Sequence, residues 1–184
     1  MSIGQTIARI GSKPSAMEQE LTPDELVRRY GDDVWRFVAS KLNRREDAED
    51  VTMEVFGIAF QSMQSLRKAE SARLWLLVVA RRKVMDNLRR NYRRSELPLE
   101  SAQEQAAPTE NSLRWEIKNL VDRLPEAHRD ALILKYVNGL ETIEVARIMK
   151  KTEKATNSLL QRARQSLREL GLTELPELQG RVSR

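Results

Sequence analysis

The chain has 184 residues, enough for one large domain or two small ones, and carries a net charge of +5 with an isoelectric point of about 9.7. It contains no cysteine, which excludes disulfides and thiolate zinc sites and fits a reducing cytosol. Its longest apolar run, residues 74–80, has seven residues against the roughly 20 needed to span a membrane, and the N-terminal stretch lacks the apolar segment of a secretory signal, so a cytoplasmic chain with no membrane insertion is expected.

Residues 1–20 mix Gly, Ser, Pro and charge without periodicity and read as a flexible N-terminal tail. Thr22-Pro23-Asp24-Glu25 then has the form of a helix start, with Thr22 as N-cap, Pro23 in the first turn and acids following. Leu26, Tyr30, Val34, Val38 and Leu42 recur every four residues and predict an amphipathic helix over 23–42, broken at Asn43-Arg44-Arg45. A second helix is predicted over about 46–64, with Val51, Val55, Ile58, Ala59 and Met63 facing inward. Glu46 to Ser65 holds five acids and no base.

After a polar connection at 65–70, residues 71–94 run without Pro or Gly and predict one long helix. Seven bases and one acid, Asp86, follow the apolar run. On a helical wheel Leu74, Leu77, Val78, Met85, Leu88 and Tyr92 form one stripe, with Arg82, Lys83, Arg89, Arg90, Arg93 and Arg94 on the other side. Such a helix suits a polyanion. Arg81 falls on the stripe, where burial demands a partner. Asp86, one turn from Arg82 and Arg90, can steady those cations. The first three helices have the apolar faces and short links of a bundle.

Residues 95–112 contain four glutamates, two prolines and no base, the composition of a flexible acidic linker. Helical periodicity resumes at Leu113 with Ile117, Leu120, Val121 and Leu124 and stops at Pro125. A further helix spans Glu126 to Val137, ended by Asn138-Gly139, residues that tolerate the left-handed conformation. Two more follow, Glu141–Met149 and Glu153–Leu170, joined by a turn of three or four residues, and 171–184 is a C-terminal tail. No strand-like alternation occurs. The predicted fold class is all-α: two small helical domains, a three-helix bundle at 21–94 and a four-helix domain at 113–170, joined by the linker.

The last helix pair has the dimensions of a helix-turn-helix. Thr156, Leu159, Leu160, Ala163 and Leu167 face inward. Lys154, Asn157, Ser158, Gln161, Gln165 and Arg168 face outward, flanked by Arg162 and Arg164. Short polar side chains can approach base edges there while arginines reach phosphates. An ordinary amphipathic helix has a solvated polar face too, and it is the second basic helix in the chain that favours DNA. Trp75, Trp35 and Trp115 are expected as core or interface residues. His128 is the only histidine and has no partner at metal-ligand spacing. No metal or cofactor pattern and no nucleophile, acid pair or phosphate loop emerges, so no enzymatic activity is expected.

These residues resemble a known family. Asp47-Ala48-Glu49-Asp50-Val51, then Glu54-Val55-Phe56, Trp75-Leu76, Ala80-Arg81 and Asp86-Asn87-Leu88-Arg89-Arg90 look like region 2 of bacterial sigma factors. Leu124-Pro125-Glu126, Arg129, Ala131-Leu132, Lys135-Tyr136, Gly139-Leu140, Glu144-Val145-Ala146 and Arg162-Ala163-Arg164 resemble region 4. The resemblance covers roughly 22–170 and is nearest to the extracytoplasmic-function group, which keeps only these two domains and a linker. It implies binding to core RNA polymerase, through the clamp of the largest subunit and the flap of the second largest, and recognition of promoter DNA. An anti-sigma partner is common among such proteins. Implied core-polymerase contacts are Asp47, Glu49, Asp50, Val51, Glu54 and Phe56. Implied −10 contacts are Arg67, Lys68, Arg73, Arg82, Lys83, Asn87, Arg89, Arg90 and Arg93, and implied −35 contacts are Lys154, Asn157, Ser158, Gln161, Arg162 and Arg164. The chain departs from the family at Ala72 and Leu66, where aromatics are common, and at Lys150-Lys151, where Gly and an apolar residue are usual. A helix-turn-helix regulator acting without core polymerase is the alternative, as is a DNA-acting enzyme, whose nucleophile and carboxylates are missing.

Overall fold

The computed structural model describes residues 22–67, 69, 71–95 and 112–174. The expected N-terminal tail, nearly all of the linker, most of the C-terminal tail and Lys68 lie outside the described residues. All regular structure among the described residues is helical, and the chain divides into two compact units.

In the first unit α1 spans Pro23–Ala39. Thr22 is extended (φ −86°, ψ 161°) and its side chain accepts from the Glu25 N–H at 3.3 Å, the cap expected from the sequence. Leu26, Val34, Phe37 and Val38 are buried, and Tyr30 only half so. α2 spans Arg45–Gln61, burying Ala48, Val51, Val55, Phe56 and Ala59. The single helix predicted over 46–64 is in fact broken: Ser62 leaves helical geometry (φ −115°, ψ 24°) and a separate turn, α3, covers Met63–Arg67. The break turns Leu66 into the core. α4 spans Ala72–Ser95, with the Ser71 hydroxyl accepting from the Leu74 N–H at 3.3 Å as its cap. α1, α2 and α4 pack on one another. Each large apolar side chain buried this way contributes roughly 1.5–3 kcal/mol relative to exposure.

The orientation of α4 differs from the wheel reading. Leu74 and Leu77 are buried as expected, but Leu76, Ala80, Val84 and Asn87 form the row that continues the core toward the C-terminus. Val78, Met85 and Leu88 are only half-buried and Tyr92 is 70% exposed. From Leu74 to Ala80 every face is apolar, and even Trp75 and Val79 are buried. Periodicity therefore has nothing to phase against until residue 81. Arg81 consequently sits at the border of the core face rather than within it, half-buried and engaged by a partner, as its charge requires.

In the second unit α5 spans Ser112–Asp122 and α6 Glu126–Leu132, whose last turn widens into a π-turn, Ile133–Val137. The Asn138 N–H reaches back to the Ile133 carbonyl at 3.0 Å and Gly139 takes φ 68°, the left-handed stop predicted at this position. Arg129 closes the Pro125 corner. Its guanidinium donates to the carbonyls of Asp122 and, at 3.4 Å, Leu124, and lies 3.5 Å from the Asp122 carboxylate. Carbonyls left over where α5 ends are thereby satisfied. α7, Thr142–Met149, starts with the Glu144 carboxylate accepting from the Glu141 N–H at 2.8 Å, half of a capping box. α8, Glu153–Glu174, packs on α5 and α6.

Candidate nucleic-acid interface

The turn between α7 and α8 sets the attitude of the second cationic helix. Lys150 has φ 55°, and the Lys151 N–H bonds the Ala146 carbonyl at 2.9 Å, a Schellman closure that asks for glycine and here holds lysine. Thr152 caps α8, its hydroxyl accepting from the Ala155 N–H at 3.2 Å. Thr156, Leu159, Leu160 and Ala163 are buried, so the expected inward face of α8 is observed, with Leu167 half-buried. Lys154, Asn157, Ser158, Gln161, Arg162 and Arg164 are all exposed. Ser158 donates to the Lys154 carbonyl at 3.1 Å and Arg162 leans back on the Ser158 carbonyl at 3.4 Å, the long distance marking a weak tie that a phosphate can replace.

The first unit treats its cations differently. Arg73 makes a two-pronged pair with Asp33 of α1, 2.7 and 2.9 Å long and largely shielded from solvent. Lys83 pairs with Glu54 of α2 at 2.8 Å. Asn87 is buried and accepts from Asn91, which also donates to Asp47 at 3.3 Å. Three side chains grouped with the DNA set are thus turned to the fold: Arg73 ties α4 to α1 and Lys83 ties it to α2, while Asn87 is bonded within α4 by the Asn91 that reaches α2. Arg82, Arg89 and Arg90 are exposed, as is Arg67, which has a partner of its own. Arg93 belongs to α4, and its side chain is not among those described. Asp86 pairs with Arg82 at 3.9 Å and with Arg89 at 3.8 Å, not with Arg90. Both pairs are exposed and long, worth about 0–1 kcal/mol, so they leave the arginines available.

On α2 the acids divide too. Glu49 is exposed beside Arg45 at 2.7 Å, Asp50 is exposed, Asp47 is half-buried, and Glu54 is held by Lys83. Val51 and Phe56, placed with the polymerase contacts by resemblance, are 2% and 7% exposed and belong to the core of the unit. In their stead Met53, 65% exposed, and Phe60, 41% exposed, stand on the outer side. These two went unremarked in the sequence, although their spacing of seven residues places them on one face, away from Val51 and Val55. Asp50, Met53 and Phe60 make an outer face that is part acidic and part apolar.

Among the described residues no group of His, Cys, Asp and Glu could hold a metal ion, and no helix is long and apolar enough to cross a membrane. Residues 26–94 match the family described as Sigma-70 region 2, and residues 114–167 match Sigma-70, region 4. The ECF RNA polymerase sigma factor SigM of Bacillus subtilis is 31% identical over 82% of this chain and 95% of that protein. The chain belongs to the ECF RNA polymerase sigma factors. As such it is a transcription initiation factor that works with core RNA polymerase on promoter DNA. The sigma factor BldN of Streptomyces coelicolor is 28% identical over 77% of this sigma factor and 57% of its own length. Solved structures share the fold, two of them as follows. CnrH in complex with the cytosolic domain of CnrY gives a TM-score of 0.67 at 18% identity, covering 92% of this chain and 99% of that one. The sigma factor RpoE with the anti-sigma factor NepR from Bartonella quintana gives 0.68 at 20% identity, covering 82% and 97%.

Proposed function

We propose a division of labour in which residues 21–94 bind core polymerase and the −10 element while residues 113–170 read the −35 element. The outward face of α2, Asp47, Glu49 and Asp50 with Met53 and Phe60, meets a basic surface on the clamp of the largest subunit. Apolar contact there adds area that the acids alone lack. The second unit meets the flap of the second largest subunit. Arg67, Arg82, Arg89 and Arg90 on and before α4 take phosphates on the −10 side, and Lys68 and Arg93 join them. On α8, Asn157, Ser158 and Gln161 face base edges and Lys154, Arg162 and Arg164 hold the backbone. The linker at 95–112 joins the two grips without specifying either. The chain itself carries no catalysis, works in the cytoplasm where its polymerase is, and is open to control by an anti-sigma factor of the kind that RpoE carries in its solved complex.

One observation carries this reading: regions 2 and 4 match in order on one chain, and each displays a helix with an exposed cationic face. Run-off transcription with purified core polymerase on the promoter of the chain's own gene tests it. Specific transcripts that need both components are expected. Failure to bind core, together with DNA binding by the chain alone at a defined operator, would support a free-standing helix-turn-helix regulator instead.

A further inference from the structure

α4 carries one large aromatic on its outside. Tyr92 is 70% exposed, whereas Trp75, the other aromatic of this helix, is 2% exposed. A single exposed apolar side chain is ordinary. The surroundings of this one are not. Arg89 lies one turn back on the same helix and is exposed, while Met85 and Leu88 lie half-buried along the strip that leads to the ring. An aromatic beside a cation that can hold a phosphate backbone is the pattern used to bind unpaired nucleotides. Arg89 and Tyr92 are offset by about 4.5 Å along the axis, so a nucleotide whose phosphate meets the guanidinium can bring its base to the ring. Leu66 and Ala72, the two positions where the resemblance leads one to expect aromatics, are each 2% exposed and carry no ring to stack on a base.

We propose that Tyr92 is a stacking contact to an unpaired base on the −10 side of the promoter, resting on the reading of α4 as the −10 helix. The ring takes over part of the stabilisation of separated strands that Leu66 and Ala72 cannot supply. It acts by its face, so the hydroxyl is dispensable and the contact adds nothing to the salt dependence.

Holoenzyme reconstituted from core polymerase and the full chain is the material. The probes are a promoter fragment recovered with the wild-type holoenzyme, as a full duplex and as a fork with a single-stranded −10 extension carrying 2-aminopurine. Tyr92→Ala is expected to weaken fork binding about 5- to 100-fold while the duplex changes less than about two-fold, and to abolish quenching of one 2-aminopurine position. Tyr92→Phe restores both binding and quenching, and the melting temperature of each variant stays at the wild-type value. Arg89→Ala, in contrast, lowers the slope of log K against log salt by about one on either probe. Wild-type fork binding and quenching by Tyr92→Ala, with Arg89→Ala impaired, would overturn the stacking contact and leave the −10 assignment of α4 standing. If Arg89→Ala and Tyr92→Ala both behave as wild type, the −10 assignment itself fails, and the proposal with it.

Discussion

The two cationic helices of this sigma factor look alike as strings of residues and are used differently by the fold. α8 is a surface element: its buried face is narrow, and each polar residue expected to meet DNA stands in solvent. α4 is a core element that happens to be basic. Its first half is buried on nearly every side, and Arg73, Lys83 and Asn87 are bonded to Asp33, Glu54 and Asn91. Among the described side chains of its second half, the strip through Arg82, Asp86 and Arg89, with Arg90 and Tyr92 beside it, is left to the exterior. A cation on a bundle's long helix is therefore weaker evidence for ligand contact than one on the last helix of a helix-turn-helix. The bundle has acids on its neighbouring helices that reach the first and not the second.

The sharpest way to break this contrast is in the core row of α4. Leu76→Ala, at a fully buried position, should cost about 2–5 kcal/mol in urea unfolding, and Met85→Ala, half-buried, about 1 kcal/mol or less. A larger cost at Met85 than at Leu76 would mean that the helix is phased as the wheel suggested. Arg73→Ala comes next. It should lower stability by about 1–2 kcal/mol, and a double-mutant cycle with Asp33→Ala should show coupling, because the shielded pair locks α4 to α1. Loss of promoter affinity with unchanged stability would instead return Arg73 to the DNA set. On α8 the balance should invert: Arg162→Ala leaves unfolding within about 0.5 kcal/mol of wild type yet reduces the salt slope of −35 binding by about one. The smallest effect is expected at the turn, where Lys150→Gly should raise stability by about 0.5–1 kcal/mol by removing the penalty of φ 55°. A loss of stability there would show that lysine makes contacts worth more than its strain.

Much of the second unit was legible before the structure. Pro125, Asn138-Gly139 and the inward set Thr156, Leu159, Leu160 and Ala163 are punctuation and periodicity acting over a few residues, and the structure repeats them. The π-turn at 133–137 has no such local sign, because it adds one residue to a turn without changing composition. In the first unit the Ser62 break has no local sign either: no Gly or Pro stands there, and the bend goes with the burial of Leu66. Val51 and Phe56 illustrate a different loss. A family motif marks positions that matter to the fold and positions that meet a partner alike, and only burial separates them.

The sequence by itself determined that the chain is all-helical, where most helices begin and end, and that it carries two basic helices and an acidic one in sigma-factor order. Those features are local: caps, breakers, the 3.6-residue period and charge runs act over one or two turns. The tertiary structure decided which cations face solvent. Whether Lys83 meets a phosphate or Glu54 depends on how α4 is rotated against α2, and a run of apolar residues that is hydrophobic on every face cannot fix that rotation alone. The neighbours set it by burying Leu76, Ala80, Val84 and Asn87, and in doing so they left Arg82, Arg89 and Tyr92 outside.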